Sequence, residues 1–230
     1  MNLLRKNVSY SRIECIMNNS SDFNIESLAS NVLSKSLSKG LHIAAAESLT
    51  GGLLADAFVS VPGASRVFCG SAVTYDIHAK SKILGVDAQL LQTEGAVYPD
   101  VAMQMAVGAS NIYRSSGWFY DSYEQCVNSF PIVGLSTTGV AGPGPDGNKP
   151  AGLVYVGVLL PKSFSRRDLI LQKSHDFLDF DCVSNTWDYV SKKDIVLVFE
   201  LRLTGSREQV RKNTVCNLLR IVDDLLSVIE

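Results

Sequence analysis

From Asn24 to Lys39 the apolar residues Ile25, Leu28, Val32, Leu33 and Leu37 recur at helical spacing and Gly40 closes the run, which predicts an amphipathic helix ended by a C-terminal glycine. Leu41 to Ala46 is short and continuously apolar, as a buried strand would be. It breaks off at Glu47, and helical spacing resumes from Leu53 to Val59, so Ser48 to Gly52 reads as a strand-to-helix turn. A second strand is expected from Val67 to Tyr75, rich in Val, Phe and Tyr. Asp76 then caps a short helix through Leu84, closed by Gly85, and Asp87 starts another. Pro99 suits the first position of a long helix to about Tyr113, with Val101, Met105, Ala109 and Ile112 along one face. Further strands are expected at Pro131 to Ser136, Gly152 to Leu160 and Asp194 to Leu203, and Ser206 to Gln209 has the form of a capping box opening a closing helix. Helices interleave with strands early and strands follow one another later, the pattern of an α/β fold: a three-layer α/β/α domain with a mixed β-sheet.

The remaining stretches lack this periodicity. Residues 1–22 read as a flexible polar leader, with Met17 as an alternative start of translation, and residues 23–230 as one domain. Within that domain, about 115–129 and 161–193 read as insertions. The loop from Thr137 to Gly147 is too rich in Gly and Pro for regular structure.

Composition narrows the partners. In 230 residues, 21 basic side chains face 23 acidic ones, a formal net charge of -2 that offers no polyanion-binding surface, so no nucleic-acid partner is expected. No apolar run approaches the roughly 20 residues that cross a bilayer, and the first residues lack a secretory signal, so no membrane partner and a cytoplasmic location are expected. The five cysteines and three histidines are scattered, with no metal-ligand spacing, so no metal or cofactor is expected. Nothing points to a classical Ser-His-Asp arrangement either.

Candidate chemistry gathers at three places. Ser48 stands where amide N–H groups are unpaired at a helix start, among Glu47, Leu49, Thr50, Gly51 and Gly52; it reads either as a nucleophile beside an oxyanion-binding turn or as an ordinary helix cap. Tyr75 ends a strand and Lys80 lies about one turn into the next helix, which reads either as an acid-base pair whose desolvated lysine needs no histidine or as an edge tyrosine and a solvated lysine. The loop containing Thr138, Gly139, Ala141 and Gly142 is either an anion cradle or a plain Gly-Pro connection. Arg207 and Arg211, four apart at a helix start, either clamp a phosphate or face solvent.

Ala-Glu-Ser-Leu-Thr-Gly-Gly at 46–52, Gly70 to Tyr75 followed by Ala79-Lys80 and Leu84-Gly85-Val86, Gly95-Ala96-Val97, Thr138 to Pro143, and Gly205-Ser206-Arg207 with Val210-Arg211 occur together and in order. The set resembles the CinA C-terminal domain family, whose stand-alone members are nicotinamide-nucleotide amidohydrolases. The resemblance covers roughly residues 24–160 and 194–228. It implies hydrolysis of the carboxamide of nicotinamide mononucleotide to nicotinate mononucleotide and ammonia in pyridine nucleotide salvage, with Ser48, Tyr75 and Lys80 as the catalytic set, a small-molecule nucleotide as substrate, and a homodimer. Leu49 stands where many members have Cys, Ser206 where Asp is frequent, and Asp76-Ile77 where a Ser-Asn pair is common. The alternative expectation is a catalytically silent nucleotide-binding or competence-associated interaction module of the same fold.

Overall fold

The structure, a computed structural model, describes residues 4–7, 24–114, 131–161, 182–190 and 194–228. In chain order the elements are β1 (Leu4–Asn7), α1 (Ile25–Ser38), β2 (His42–Glu47), α2 (Leu53–Val59), β3 (Phe68–Val73), α3 (Ile77–Leu84) and α4 (Ala88–Glu94). There follow α5 (Pro99–Arg114), β4 (Ile132–Gly139), β5 (Leu153–Pro161), β6 (Val183–Val190), β7 (Asp194–Arg202) and α6 (Arg207–Ser227). Among the described residues the sheet has seven strands in the order β1-β6-β7-β5-β4-β2-β3. β2 runs parallel to β3 and β4, while the β4-β5, β5-β7, β7-β6 and β6-β1 pairs are antiparallel, so the sheet is mixed as the pattern predicts.

Strand periodicity sorts the side chains into two cores. Ile43, Ala45, Leu135, Val156, Val158, Leu197 and Phe199 join Val32 of α1, Phe58 of α2 and Leu218 and Val222 of α6 on one face. Ala44 and Ala46 meet Met105 and Val101 of α5 on the other face, where Leu159, Val196 and Val198 also pack with Ala102 and Ala106. Burying each such Leu, Ile, Val or Phe stabilises the fold by about 1.5–3 kcal/mol, and this sum favours three layers over any arrangement with a bare sheet face.

The closeness of α5 to the sheet follows from glycine. A Cβ on Gly134 of β4 would stand 2.2 Å from the Ala106 carbonyl oxygen, and one on Gly157 of β5 would stand 2.8 Å from that of Ala102. The Ser136 hydroxyl instead donates to that Ala102 carbonyl at 2.7 Å, tying strand to helix.

Three expectations need correction. The stretch read as a leader contributes β1, whose Leu4–Asn7 pairs with Trp187–Val190 of β6. The stretch read as the 161–193 insertion contributes β6 itself, hydrogen-bonded to β7; its polar residues and weak periodicity hid a strand near the sheet edge. Third, β4 runs to Gly139, past Ser136. Thr137 and Thr138 are β-branched and pair with Val156 and Tyr155, so strand geometry wins over the glycines that follow. The expected 115–129 insertion lies outside the described residues.

Candidate active site

Ser48 directly follows β2, the strand flanked by two parallel neighbours, and it lies at the carboxyl ends of all three, where open α/β sheets form a crevice. Its N–H donates to Thr137 O at 3.0 Å, and Gly51 N–H donates back to Ser48 O at 3.1 Å. The backbone then takes two left-handed steps, Gly51 (φ 59°) and Gly52 (φ 98°), which explains why two glycines stand here.

Ser48 does not cap α2. That role falls to Glu47, a fully buried carboxylate. Its Oε2 accepts from Gly52 N (2.9 Å), Leu54 N (3.0 Å) and Thr50 Oγ1 (2.8 Å), and its Oε1 from Ala55 N (3.0 Å) and Ser71 Oγ (2.9 Å). A carboxylate at a helix N-terminus is favoured by the dipole and satisfies donors that would otherwise be unpaired. Glu47, grouped with Ser48 in a turn expected to bind an oxyanion, is instead the buried anchor of that turn. Thr50, also fully buried, shares a 2.8 Å hydrogen bond with Thr137 Oγ1 and belongs to the same internal network. Nothing in the sequence around Ser71 signals that its hydroxyl reaches Glu47.

With the cap supplied elsewhere, the Ser48 hydroxyl meets Lys80. Lys80 Nζ lies 3.1 Å from Ser48 Oγ and 2.5 Å from the Thr74 carbonyl oxygen. Lys80 is a fully buried residue of α3, the helix that Asp76 caps by accepting from His78 N and Ala79 N. Burial pushes the ammonium down from 10.5 to about 8, and the Asp76 charge opposes the shift without cancelling it. At 3.1 Å a neutral Lys80 amine is placed to accept a proton from the Ser48 hydroxyl, and a protonated one donates to Ser48 Oγ.

The crevice above is a cleft of about 320 Å³ whose lining includes Ser48, Leu49, Tyr75, Arg207 and the loop from Thr138 to Asp146. Tyr75, 63% exposed, stands at its rim, and its hydroxyl accepts from Arg207 Nη2 at 2.9 Å. Arg207 Nη1 also donates to Gly142 O at 2.5 Å, so one guanidinium bridges two rims. Thr138 Oγ1 donates to Ala96 O at 2.6 Å, holding the loop's first residues. Gly139, Ala141 and Gly142 line the cleft, as do Ala96 and Val97 of the Gly95-Ala96-Val97 motif, and Asp146, which no sequence signal marks.

Arg211 does not join Arg207. Its Nε donates to Leu49 O at 2.9 Å and its Nη2 to Thr50 O at 2.8 Å, behind the turn, and it is absent from the cleft lining. The expected two-arginine phosphate clamp is corrected to one rim arginine and one backbone anchor. On a helix, residues four apart share a side but lie about 6 Å apart along the axis, far enough to serve different loops. Among the described residues, no group of three His, Cys, Asp or Glu is placed to hold a metal ion, and no helix is long and apolar enough to cross a membrane.

A family model described as the CinA C-terminal domain matches residues 25–117 and 127–192. A putative competence-damage inducible protein of Caldanaerobacter subterraneus subsp. tengcongensis is 37% identical over 172 residues, covering 74% of this chain and 37% of that protein. One from Clostridium botulinum (strain Loch Maree / Type A3) is 36% identical over 174 residues, 75% of this chain and 38% of the relative, so the chain spans well under half the length of these relatives. Among solved structures, the competence/damage inducible protein CihA from Agrobacterium tumefaciens superposes with a TM-score of 0.62 at 28% identity, covering 91% of this chain and 99% of that one. A CinA superfamily protein from Klebsiella pneumoniae, 20% identical with a TM-score of 0.63 over 89% of this chain and 98% of its own, shares the fold.

Proposed function

This chain belongs to the CinA C-terminal domain family, and on that premise we propose that it is an amidohydrolase converting nicotinamide mononucleotide and water to nicotinate mononucleotide and ammonia, in pyridine nucleotide salvage. The observation that carries the proposal is the 3.1 Å contact between Ser48 Oγ and a buried Lys80 held near pKa 8, a nucleophile and a base without a histidine.

In the proposed cycle Ser48 Oγ attacks the carboxamide carbon while neutral Lys80 takes the hydroxyl proton. The carbonyl oxygen becomes the oxyanion and is stabilised by backbone N–H groups of the nucleophile turn. As the C–N bond breaks, the proton held by Lys80 passes to the amide nitrogen, directly or through the Tyr75 phenol, which is reprotonated by Lys80; the nitrogen leaves as ammonia and Lys80 is neutral again. Water then attacks the Ser48 ester, Lys80 again receives the proton, and the acid product departs as Ser48 regains its hydrogen.

Arg207 at the cleft rim is the cation for the substrate phosphate, working with the Thr138 to Gly142 backbone. A fixed phosphate orients the ring amide over Ser48 by remote binding energy. The homodimer expected from the resemblance belongs to the same proposal, and light scattering of the purified chain reads it directly. Ammonia release by purified protein from the mononucleotide, compared with Ser48→Ala, tests the function. Equal release by both proteins would remove Ser48 from the reaction, and no release from any carboxamide offered would leave only the shared fold.

A further inference from the structure

The turn after Ser48 contains few amides that an oxyanion can use. Glu47 occupies the N–H groups of Gly52, Leu54 and Ala55. Gly51 N–H is engaged by Ser48 O and Leu53 N–H by Thr50 O. Among the described residues, the N–H groups of Leu49 and Thr50 are the two in this turn without an acceptor, and they directly follow the serine, where acyl-transfer sites need their donors.

A trans peptide unit points its C=O and the following N–H in opposite directions, so each of these donors is aimed by the carbonyl of its own unit. The Leu49 N–H is aimed by Ser48 O, which accepts from Gly51 N–H. The Thr50 N–H is aimed by Leu49 O, which accepts from Arg211 Nε; Arg211 Nη2 holds the next carbonyl, that of Thr50. The guanidinium also lies against bare backbone: a Cβ on Gly51 would stand 3.3 Å from Nη2. Gly51 and Gly52 have the backbone freedom to let this segment turn over. A flip of the Leu49–Thr50 peptide would bring a carbonyl oxygen to the place of an N–H and oppose the negative charge it should stabilise.

We infer that Arg211 is a positioning residue for acyl transfer: by gripping the Leu49 and Thr50 carbonyls from α6, it keeps the nucleophile turn in the orientation that presents the Leu49 and Thr50 N–H groups to the oxyanion. The inference rests on the proposed role of Ser48 as nucleophile. It assigns Arg211 to the transition state and not to ground-state binding of the phosphate.

The test compares Arg211→Met, Arg211→Lys and the unaltered chain on nicotinamide mononucleotide and on its phosphate-free riboside. In parallel it measures the rate at which a fluorophosphonate labels Ser48, since that probe also forms a tetrahedral adduct at the serine. Arg211→Met is expected to lower kcat about 10²-fold, as for loss of an oxyanion donor, with KM unchanged for both substrates. Labelling slows in step, Arg211→Lys falls between, and added guanidinium restores part of the Arg211→Met rate, a rescue that a misfolded variant would not show. A KM that rises for the mononucleotide alone while kcat is kept returns Arg211 to phosphate binding and overturns the inference; so does unchanged kcat with unchanged labelling. If the unaltered chain is labelled at Ser48 but releases no ammonia from the mononucleotide, the substrate assignment fails and the labelling rates alone decide the role of Arg211. If Ser48 is not labelled at all, the nucleophile reading falls and takes this inference with it.

Discussion

The Tyr75 phenol oxygen accepts a hydrogen bond from Arg207 Nη2 at 2.9 Å, joining residues 132 positions apart across the mouth of the cleft. Under the proposed function, this contact sets the phenol that would serve the leaving group and the cation that would hold the phosphate on one rim.

Their separate roles predict separate kinetic signatures. Tyr75→Phe keeps the ring but loses the hydroxyl, and kcat is expected to fall about 10²-fold, the lower range for a general acid, with little change in KM. Arg207→Ala is expected to raise KM for the mononucleotide by about tenfold or more while leaving the phosphate-free riboside nearly unaffected, as for a lost charge-assisted contact. Steady-state kinetics on both substrates distinguishes the two; equal losses on both for Arg207→Ala would make it a rim brace only.

Lys80 predicts a rate that rises with pH. With its folded-state value near 8, the neutral amine grows about tenfold per pH unit below 8 and levels above it, so kcat/KM should follow that curve. Lys80→Arg should abolish this limb and lower kcat by about 10³-fold or more, because a guanidinium does not release its proton. A flat profile from pH 6 to 9 in the unaltered chain would remove Lys80 as the base.

The same group affects stability with a definite sign. Its folded value is depressed from 10.5 to about 8, so between those limits the unfolded chain binds the extra proton and stability rises with pH. Below pH 8 both states are protonated and the burial penalty, on the order of 3 kcal/mol, is felt in full. Lys80→Met, which removes the charge, should therefore gain stability relative to the parent at pH 7 and lose that advantage toward pH 10.5, as read by urea unfolding at both pH values.

Glu47 accepts five hydrogen bonds, so its loss strands several buried donors at once. Glu47→Ala should destabilise by about 3–5 kcal/mol, the range for breaking a buried charged network, and Glu47→Gln by less because one oxygen still accepts. Both should also slow labelling of Ser48, since the turn relies on this carboxylate. A Glu47→Ala protein as stable as its parent in urea would contradict the anchor role.

Gly134→Ala tests the helix-sheet contact. Its Cβ would meet the Ala106 carbonyl at 2.2 Å, so α5 must move, with an expected cost of about 1–3 kcal/mol from overpacking. At Gly40 a Cβ has nothing within 4 Å and only the φ of 63° opposes it, so Gly40→Ala should cost less. Thermal unfolding ranks the two, and the reverse order would mean that α5 does not rest on Gly134.

Much of the fold is legible in local pattern. The apolar spacing of Leu28, Val32 and Leu33 marks α1, the run from Ile43 to Ala46 marks β2, and Asp76 with Gly85 brackets α3, because caps and periodicity act within a few residues. β6 escapes because its alternation is broken by Asn185 and Asp188, and β1 because its place in the sheet comes from its pairing with β6. Short-range rules carry no record of such long-range hydrogen bonds.

The layered α/β class, the strand-to-helix turn at Ser48 and a lysine one turn into α3 all follow from residue types a few positions apart. What these groups do to one another was left to the folded chain. It made Glu47 rather than Ser48 the helix cap, buried Lys80 against the serine so that its proton is held weakly, and sent Arg211 behind the turn while Arg207 faced the cleft. The reason is physical: desolvation and hydrogen-bond direction depend on which distant backbone closes over a side chain, and that is settled only when the whole sheet has formed.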